Sequence, residues 1–185
     1  EKIYDEFLNK FTKQVKNIKV GNGLDENVTS GPLIDQYSLQ KVQEHVQDAV
    51  NIGSKIAVGG DVHSLGGNFY QPTILYNVTK KAKITYHETF GPVAPIYKFS
   101  SDEEVINMAN DTEYGLASYF YSRDIGRVWK VAENLEYGIV GVNTGLPSKA
   151  EIPFGGMKQS GLGREGSKYG LDDFLEIKYI NMAGI

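Results

Sequence analysis

The sequence predicts an α/β fold, a mainly parallel open sheet with flanking helices. Three observations carry that reading. Stretches with apolar residues every three or four positions alternate with short extended runs along the whole chain. One extended run, Ile-Val-Gly-Val-Asn at 139–143, is apolar almost without interruption, the pattern of a strand covered on both faces. The 21 glycines gather between these stretches, where turns belong.

Taken in order, Ile3, Phe7, Phe11, Val15 and Ile18 recur at helical spacing, and Gly21-Asn22-Gly23 ends that helix. A loop follows through Gly31-Pro32-Leu33-Ile34. A second helix carries Leu39, Val42, Val46, Ala49 and Val50 on its apolar stripe and stops at Gly53. Ile56-Ala57-Val58 reads as a short strand closed by Gly59-Gly60. Residues 70–78 read as extended, and Pro72 near their start puts them toward a sheet edge. Residues 80–83 form a charged turn, and 93–99 another strand.

Ser101 and Glu104 have capping-box spacing ahead of a helix with Val105, Ile106, Met108 and Ala109. Residues 115–122 are strand-like. Asp124 caps a helix whose inner face is Val128, Val131, Ala132 and Leu135, and Gly138 ends it. After the strand at 139–143 comes a polar, glycine-rich loop, 144–163, then a short helical segment around 164–169. The last extended run, 174–182, has no partner strand nearby in sequence and is expected to pair elsewhere, including with another subunit.

Composition narrows the function. The chain has 185 residues, 41% hydrophobic and 23% charged, with a formal net charge of -4. That is enough for one domain with a core. No basic cluster points to nucleic acid, and no apolar run approaches the ~20 residues of a membrane span. Residues 1–4 carry neither a signal-peptide nor a transit-peptide pattern. The absence of cysteine excludes disulfides, thiolate metal sites and a cysteine nucleophile within the chain. His45, His63 and His87 lack the spacing of a zinc motif.

Three stretches are candidates for chemistry. Glu88-Thr89-Phe90-Gly91-Pro92 lies between two strand-like runs, and Gly91-Pro92 is expected to turn the backbone. Its carboxylate and aromatic face suit a ligand with hydroxyls beside a flat ring; the plain alternative is a solvated Glu and a core Phe. Asn143 ends a buried strand, where ligands of parallel sheets collect, and is equally explained as a turn residue. Residues 153–165, Pro-Phe-Gly-Gly-Met-Lys-Gln-Ser-Gly-Leu-Gly-Arg-Glu, lack the GxxxxGK[ST] spacing of a phosphate loop. Close backbone packing along a cavity, with Phe154 as an apolar wall, is the better reading.

In combination and in order, these motifs resemble the C-terminal half of the NAD(P)-dependent aldehyde dehydrogenase superfamily, over essentially the whole chain. The resemblance rests on Gly21-Asn22-Gly23 with Gly31-Pro32-Leu33-Ile34, Glu88-Thr89-Phe90-Gly91-Pro92, Tyr114-Gly115-Leu116-Ala117, Gly141-Val142-Asn143, and Pro153-Phe154-Gly155-Gly156 through Gly163-Arg164-Glu165. Ala117-Ser118-Tyr119-Phe120-Tyr121-Ser122, Gly145-Leu146-Pro147-Ser148 and Gly163 through Gly170 bring it nearest to succinate-semialdehyde dehydrogenases.

The resemblance implies oxidation of an aldehyde to an acid through a cysteine thioester, with NAD or NADP as hydride acceptor. It implies that Glu88 holds the nicotinamide ribose, Phe90 packs on that end of the cofactor, Phe154 walls the aldehyde pocket and Ser148 contacts the substrate's distal carboxylate. It places the nucleophile, the general base, the oxyanion donor and the dinucleotide-binding domain upstream of Glu1. It divides the chain into a partial catalytic domain, 1–171, and a C-terminal oligomerisation strand, 172–185, in a homodimer or homotetramer. The implied compartment is cytoplasmic, or the mitochondrial matrix for a eukaryotic source. Another aldehyde class, or a non-catalytic binding or oligomerisation module, is the alternative.

Overall fold

Helix α1 (Tyr4–Val15) opens the chain in the computed structural model, which describes residues 1–185. The chain divides into two compact units, Glu1–Ser100 and Ser101–Ile185. In the first, α1 buries Tyr4 and Val15 at its two ends. The Tyr4 hydroxyl donates to the Ile96 carbonyl at 3.3 Å and accepts from the Asn77 amide at 2.9 Å, which ties the helix to the sheet beneath.

Helix α2 (Gln36–Asn51) begins at Asp35, whose carboxylate accepts from the Ser38 amide at 2.7 Å. It ends at Gly53, in a left-handed conformation with φ 105°. Its buried face is Leu39, Val42, His45, Val46 and Ala49. That face packs on Tyr70, Leu75, Val78, Ala82 and Ile84 to form the core of this unit.

The sheet beneath has the order β1 (Lys55–Val58), β2 (Thr73–Tyr76), β3 (Val93–Pro95). β1 and β2 are antiparallel with Ile56 opposite Leu75; β2 and β3 are parallel with Ile74 opposite Ala94. β2 is thus central, and Thr73, Ile74 and Leu75 are buried. The edge position expected from Pro72 is corrected. Pro72 precedes the first ladder residue, so its missing N–H costs the ladder nothing. The charged turn at 80–83 runs into a 3-10 turn, Lys83–Thr85, which buries Ile84 and leans on α2. There the Lys83 amide donates to the Asp48 carboxylate at 2.8 Å, and the Lys83 ammonium pairs with Glu44.

In the second unit, α3 (Asp102–Asn110) starts where the Ser101 hydroxyl accepts from the Glu104 amide at 3.1 Å. The run expected at 115–122 divides into β4 (Tyr114–Gly115) and β5 (Ala117–Phe120). α4 (Ile125–Asn134), capped by Asp124, carries the chain from β5 to the parallel strand β6 (Ile139–Val142). This is the crossover that parallel pairing requires. β4 pairs instead with β7 (Met157–Lys158) in antiparallel register.

The α/β class holds, but the strands form three small sheets of three, two and two strands. Two of the four ladders are antiparallel. α4 makes the crossover of the parallel β5–β6 pair, whereas β2 and β3 pair in parallel through a stretch whose helical part is only the 3-10 turn at Lys83–Thr85; β1 reaches β2 through a loop without a helix and runs back against it.

The helical segment expected around 164–169 lies later, as a 3-10 helix over Lys168–Phe174. Phe174 therefore belongs to a helical turn, and the extended run begins at Leu175. From there to Ile185 the chain forms no ladder, and Ile177 is fully exposed. No helix is long and apolar enough to cross a membrane.

Candidate functional site

One candidate stretch, the turn at 88–92, lies in the Glu1–Ser100 unit. It leaves the 3-10 turn at Thr85 and enters β3 at Val93. The Pro92 carbonyl accepts from the Thr73 amide at 2.8 Å, so the end of the turn is fastened to the first residue of β2. Glu88 is exposed. Phe90 is 78% exposed, which corrects the alternative of a core phenylalanine.

The backbone freedom expected at Gly91 is found one residue earlier. Phe90, not Gly91, has the left-handed conformation, with φ 49°. Gly91 answers a different need: a Cβ there would lie 2.5 Å from Cγ2 of Val42, a residue with no exposure on α2. The turn presses its backbone against the helix, and only glycine leaves the room.

A left-handed residue with a side chain costs roughly 1–2 kcal/mol. Leaving a phenylalanine in water forgoes about 1.5–3 kcal/mol of burial. The fold sustains both at one position beside an exposed carboxylate, and strain of this kind gathers at ligand sites.

His45 and Thr89 complete the turn. His45 is 4% exposed on the apolar face of α2, and its Nδ1 lies 3.0 Å from the Thr89 hydroxyl. Burial pushes the imidazole below its ordinary value. Glu44 opposes that shift, while His87, Lys41 and Lys83 add to it. A neutral imidazole is both donor and acceptor, so it can serve a hydroxyl either way. The sequence held one sign of this residue: a histidine among Leu39, Val42, Val46 and Ala49, on a stripe otherwise apolar.

The other candidate residues lie in the Ser101–Ile185 unit. Asn143 follows β6 with φ 56°. Its Oδ1 accepts from the Ser122 amide and its Nδ2 donates to the Ser122 carbonyl, both at 2.9 Å. The amide closes the ends of β5 and β6; it acts as a turn residue, on the backbone of a neighbouring segment. Ser148 is exposed in the irregular stretch after β6. Phe154 is partly buried, and its amide and carbonyl exchange hydrogen bonds with Glu165 at 2.9 and 2.6 Å.

The glycine-rich loop is held by backbone contact. A Cβ at Gly138 would run into the Gly155 carbonyl, and one at Gly155 would lie 2.6 Å from the Gly163 carbonyl oxygen. The Arg164 guanidinium donates to the carbonyls of Gly156 and Gly163 at 2.9 and 2.6 Å. The Ser160 hydroxyl accepts from the Gly115 amide at 2.9 Å. Arg164 thus serves the loop's own backbone, and Ser160 and Lys158 tie the loop to the backbone at 110–115, as close packing requires and a phosphate cradle would not. Glu88 and Phe90 share one turn, and Ser148 and Phe154 share one loop. No group of three or more His, Cys, Asp or Glu is placed to hold a metal.

These motifs have a family. The chain belongs to the aldehyde dehydrogenase family, whose model matches residues 1–180. It is 57% identical over 183 residues to the glutarate-semialdehyde dehydrogenase of Pseudomonas aeruginosa, covering 99% of this chain and 38% of that protein. It is 55% identical over 178 residues to GabD, the NADP(+) succinate-semialdehyde dehydrogenase of Escherichia coli, covering 96% of this chain and 37% of that one. The crystal structure of succinate-semialdehyde dehydrogenase from Burkholderia pseudomallei superposes with a TM-score of 0.95 at 53% identity, over 97% of this chain and 37% of that one. The chain spans little more than a third of the length of the relatives it matches.

Proposed function

We propose that this chain is part of an oxidoreductase that oxidises a short semialdehyde with a distal acid group, succinate semialdehyde in the first instance, with NAD+ or NADP+. The observation that carries the reading is the 55–57% identity, over nearly the whole chain, to enzymes named for succinate and glutarate semialdehydes. The second name favours one neighbouring substrate, the semialdehyde one methylene longer.

The residues of the turn suit the dinucleotide. An exposed carboxylate beside an exposed aromatic face matches ribose hydroxyls beside a flat ring. Glu88 would accept from the ribose hydroxyls on the nicotinamide side, and Phe90 would pack against that end. When bound, the dinucleotide supplies the hydride acceptor. Ser148 donates to the substrate's distal carboxylate, and Phe154 forms an apolar wall beside its chain. The thiolate that takes the aldehyde comes from the parent protein outside this chain, which has no cysteine. Residues 172–185 form the subunit tie of a homodimer or homotetramer; Ile177 and Phe174 are left in water within one chain.

The test is steady-state kcat/KM of the parent protein with succinate semialdehyde, glutarate semialdehyde and butanal, each with NAD+ and NADP+. The acids are expected to be preferred at least tenfold, and the 185-residue chain alone should reduce neither cofactor. Preference for butanal, or turnover by the chain alone, refutes the reading.

A further inference from the structure

We propose that His45 is a positioning residue for the cofactor-side turn, holding Phe90 in its left-handed conformation through Thr89 and so setting how Glu88 and Phe90 face a dinucleotide. The inference rests on the cofactor role given to that turn above.

Both residues flanking Phe90 are gripped by the same face of α2. Thr89 is bound by His45 at 3.0 Å, and Gly91 is seated on Val42 so closely that no Cβ fits between them. Val42 and His45 are three residues apart on the helix and therefore neighbours on one face. Between the two grips stand the φ of 49° and the 78% exposed ring. A chain free to relax would leave that φ, because a bulky side chain disfavours it. Two anchors, one polar and one steric, remove the freedom to do so.

His45 is also an expensive way to fill a core. Its stripe neighbours are Leu39, Val42, Val46 and Ala49, and a buried polar group costs stability unless its hydrogen bonds are made. The ring spends Nδ1 on a hydroxyl 44 residues away, in the turn that leaves Glu88 and Phe90 exposed. Small displacements of a group that orients a reactant cost rate steeply, up to about a hundredfold for roughly 1 Å.

The experiment uses the parent protein with His45→Leu, Thr89→Val, the double variant, and His45→Asn, whose amide can occupy the place of Nδ1. Crystal structures read the Phe90 φ, and steady-state kinetics at saturating cofactor read kcat and the aldehyde KM. His45→Leu and Thr89→Val should each let Phe90 leave the left-handed region and lower kcat at least tenfold, with the aldehyde KM changed less than twofold. The double variant should be no slower than either single one, and His45→Asn should recover most of the rate. Phe90 unmoved with kcat intact overturns the inference, as does a loss that appears equally in KM and kcat. If His45→Leu does not fold, Thr89→Val carries the same comparison from the more exposed partner. A wild-type parent that oxidises no aldehyde, in which Phe90 still moves in the variants, refutes the functional reading and leaves the grip on the turn established.

Discussion

Gly91→Ala is the sharpest probe of how the turn at 88–92 is held. The added Cβ would lie 2.5 Å from Val42 Cγ2 and 3.5 Å from Leu33 Cδ2. Carbon atoms rest at about 3.5–4.0 Å, so the Leu33 contact is ordinary, and the Val42 contact demands a shift of about 1 Å or more. Val42 has no exposure and sits in the middle of α2, so neither side chain nor helix moves freely. Overpacking of this kind costs about 1–3 kcal/mol. Replacing glycine at an unstrained φ returns about 0.4–1 kcal/mol by restricting the unfolded chain. The net loss is about 1–2 kcal/mol, a fall in thermal midpoint of roughly 2–8 °C for a chain of this size. The assay is a double-mutant cycle with Val42→Ala, followed by urea unfolding. Val42→Ala alone opens a void, which the new methyl partly fills, so the pair should be coupled by about 1 kcal/mol or more. A Gly91→Ala cost below about 0.5 kcal/mol, or one unchanged on the Val42→Ala background, refutes the steric account.

Four further outcomes are expected. Glu88→Gln in the parent protein should lower turnover more than it weakens cofactor binding; unchanged steady-state and single-turnover rates count against the ribose role. Ser148→Ala should raise KM for succinate semialdehyde tenfold or more, since a hydrogen bond to a charged group is worth about 1.5–3 kcal/mol, and barely alter KM for butanal. Equal effects on the two aldehydes would show that Ser148 does not read the carboxylate. His45, faced by Glu44 and Lys41 on its own helix and by His87 and Lys83 from the following turn, is held below the ordinary imidazole value. Its contribution to stability is therefore full above about pH 6.5 and is lost as pH falls through the window beneath, where the unfolded chain takes a proton that the folded one resists. Thermal midpoints from pH 7.5 to 5 should fall, and fall less in His45→Asn; parallel curves would remove His45 as the cause. Deleting residues 173–185 from the parent should reduce its mass in solution to that of a smaller assembly, whereas an unchanged mass assigns the subunit tie elsewhere.

The helices were legible because periodicity and caps are local. Ser101 and Asp124 accept from amides three residues on, as their positions ahead of apolar stripes indicate. Sheet partnership was less legible. β4 is two residues long and pairs with β7, which lies beyond a whole crossover and within the glycine-rich loop. A two-residue strand carries no periodicity, and its partner is chosen by glycine contacts such as that of Gly138 with Gly155. In the site, the chemistry of Glu88 and Phe90 was visible as residue types, but the cause of their exposure was not. The strained φ of Phe90 and the grip of His45 and Val42 join positions more than forty residues apart, and no local pattern encodes such a contact. The extended run at 174–182 showed its apolar residues, while the 3-10 turn that takes up Phe174 depends on Ser167, whose hydroxyl accepts from the Tyr169 amide at 3.3 Å.

The amide of Asn143 gives the β5–β6 pair a chemical lifetime as well as a shape. Asparagine is among the residues that degrade with heat and age, and hydrolysis to aspartate changes its side-chain nitrogen into oxygen. At Asn143 that nitrogen is the donor to the Ser122 carbonyl, so the converted residue would set oxygen against oxygen where a 2.9 Å bond had been. The same pairing slows the damage. Degradation begins when the side-chain carbonyl carbon swings onto the amide of the next residue, and an amide fastened at both ends to Ser122 is held away from that approach. A sample that ages should therefore keep Asn143 intact while folded and lose it first in chains whose β5 and β6 have come apart.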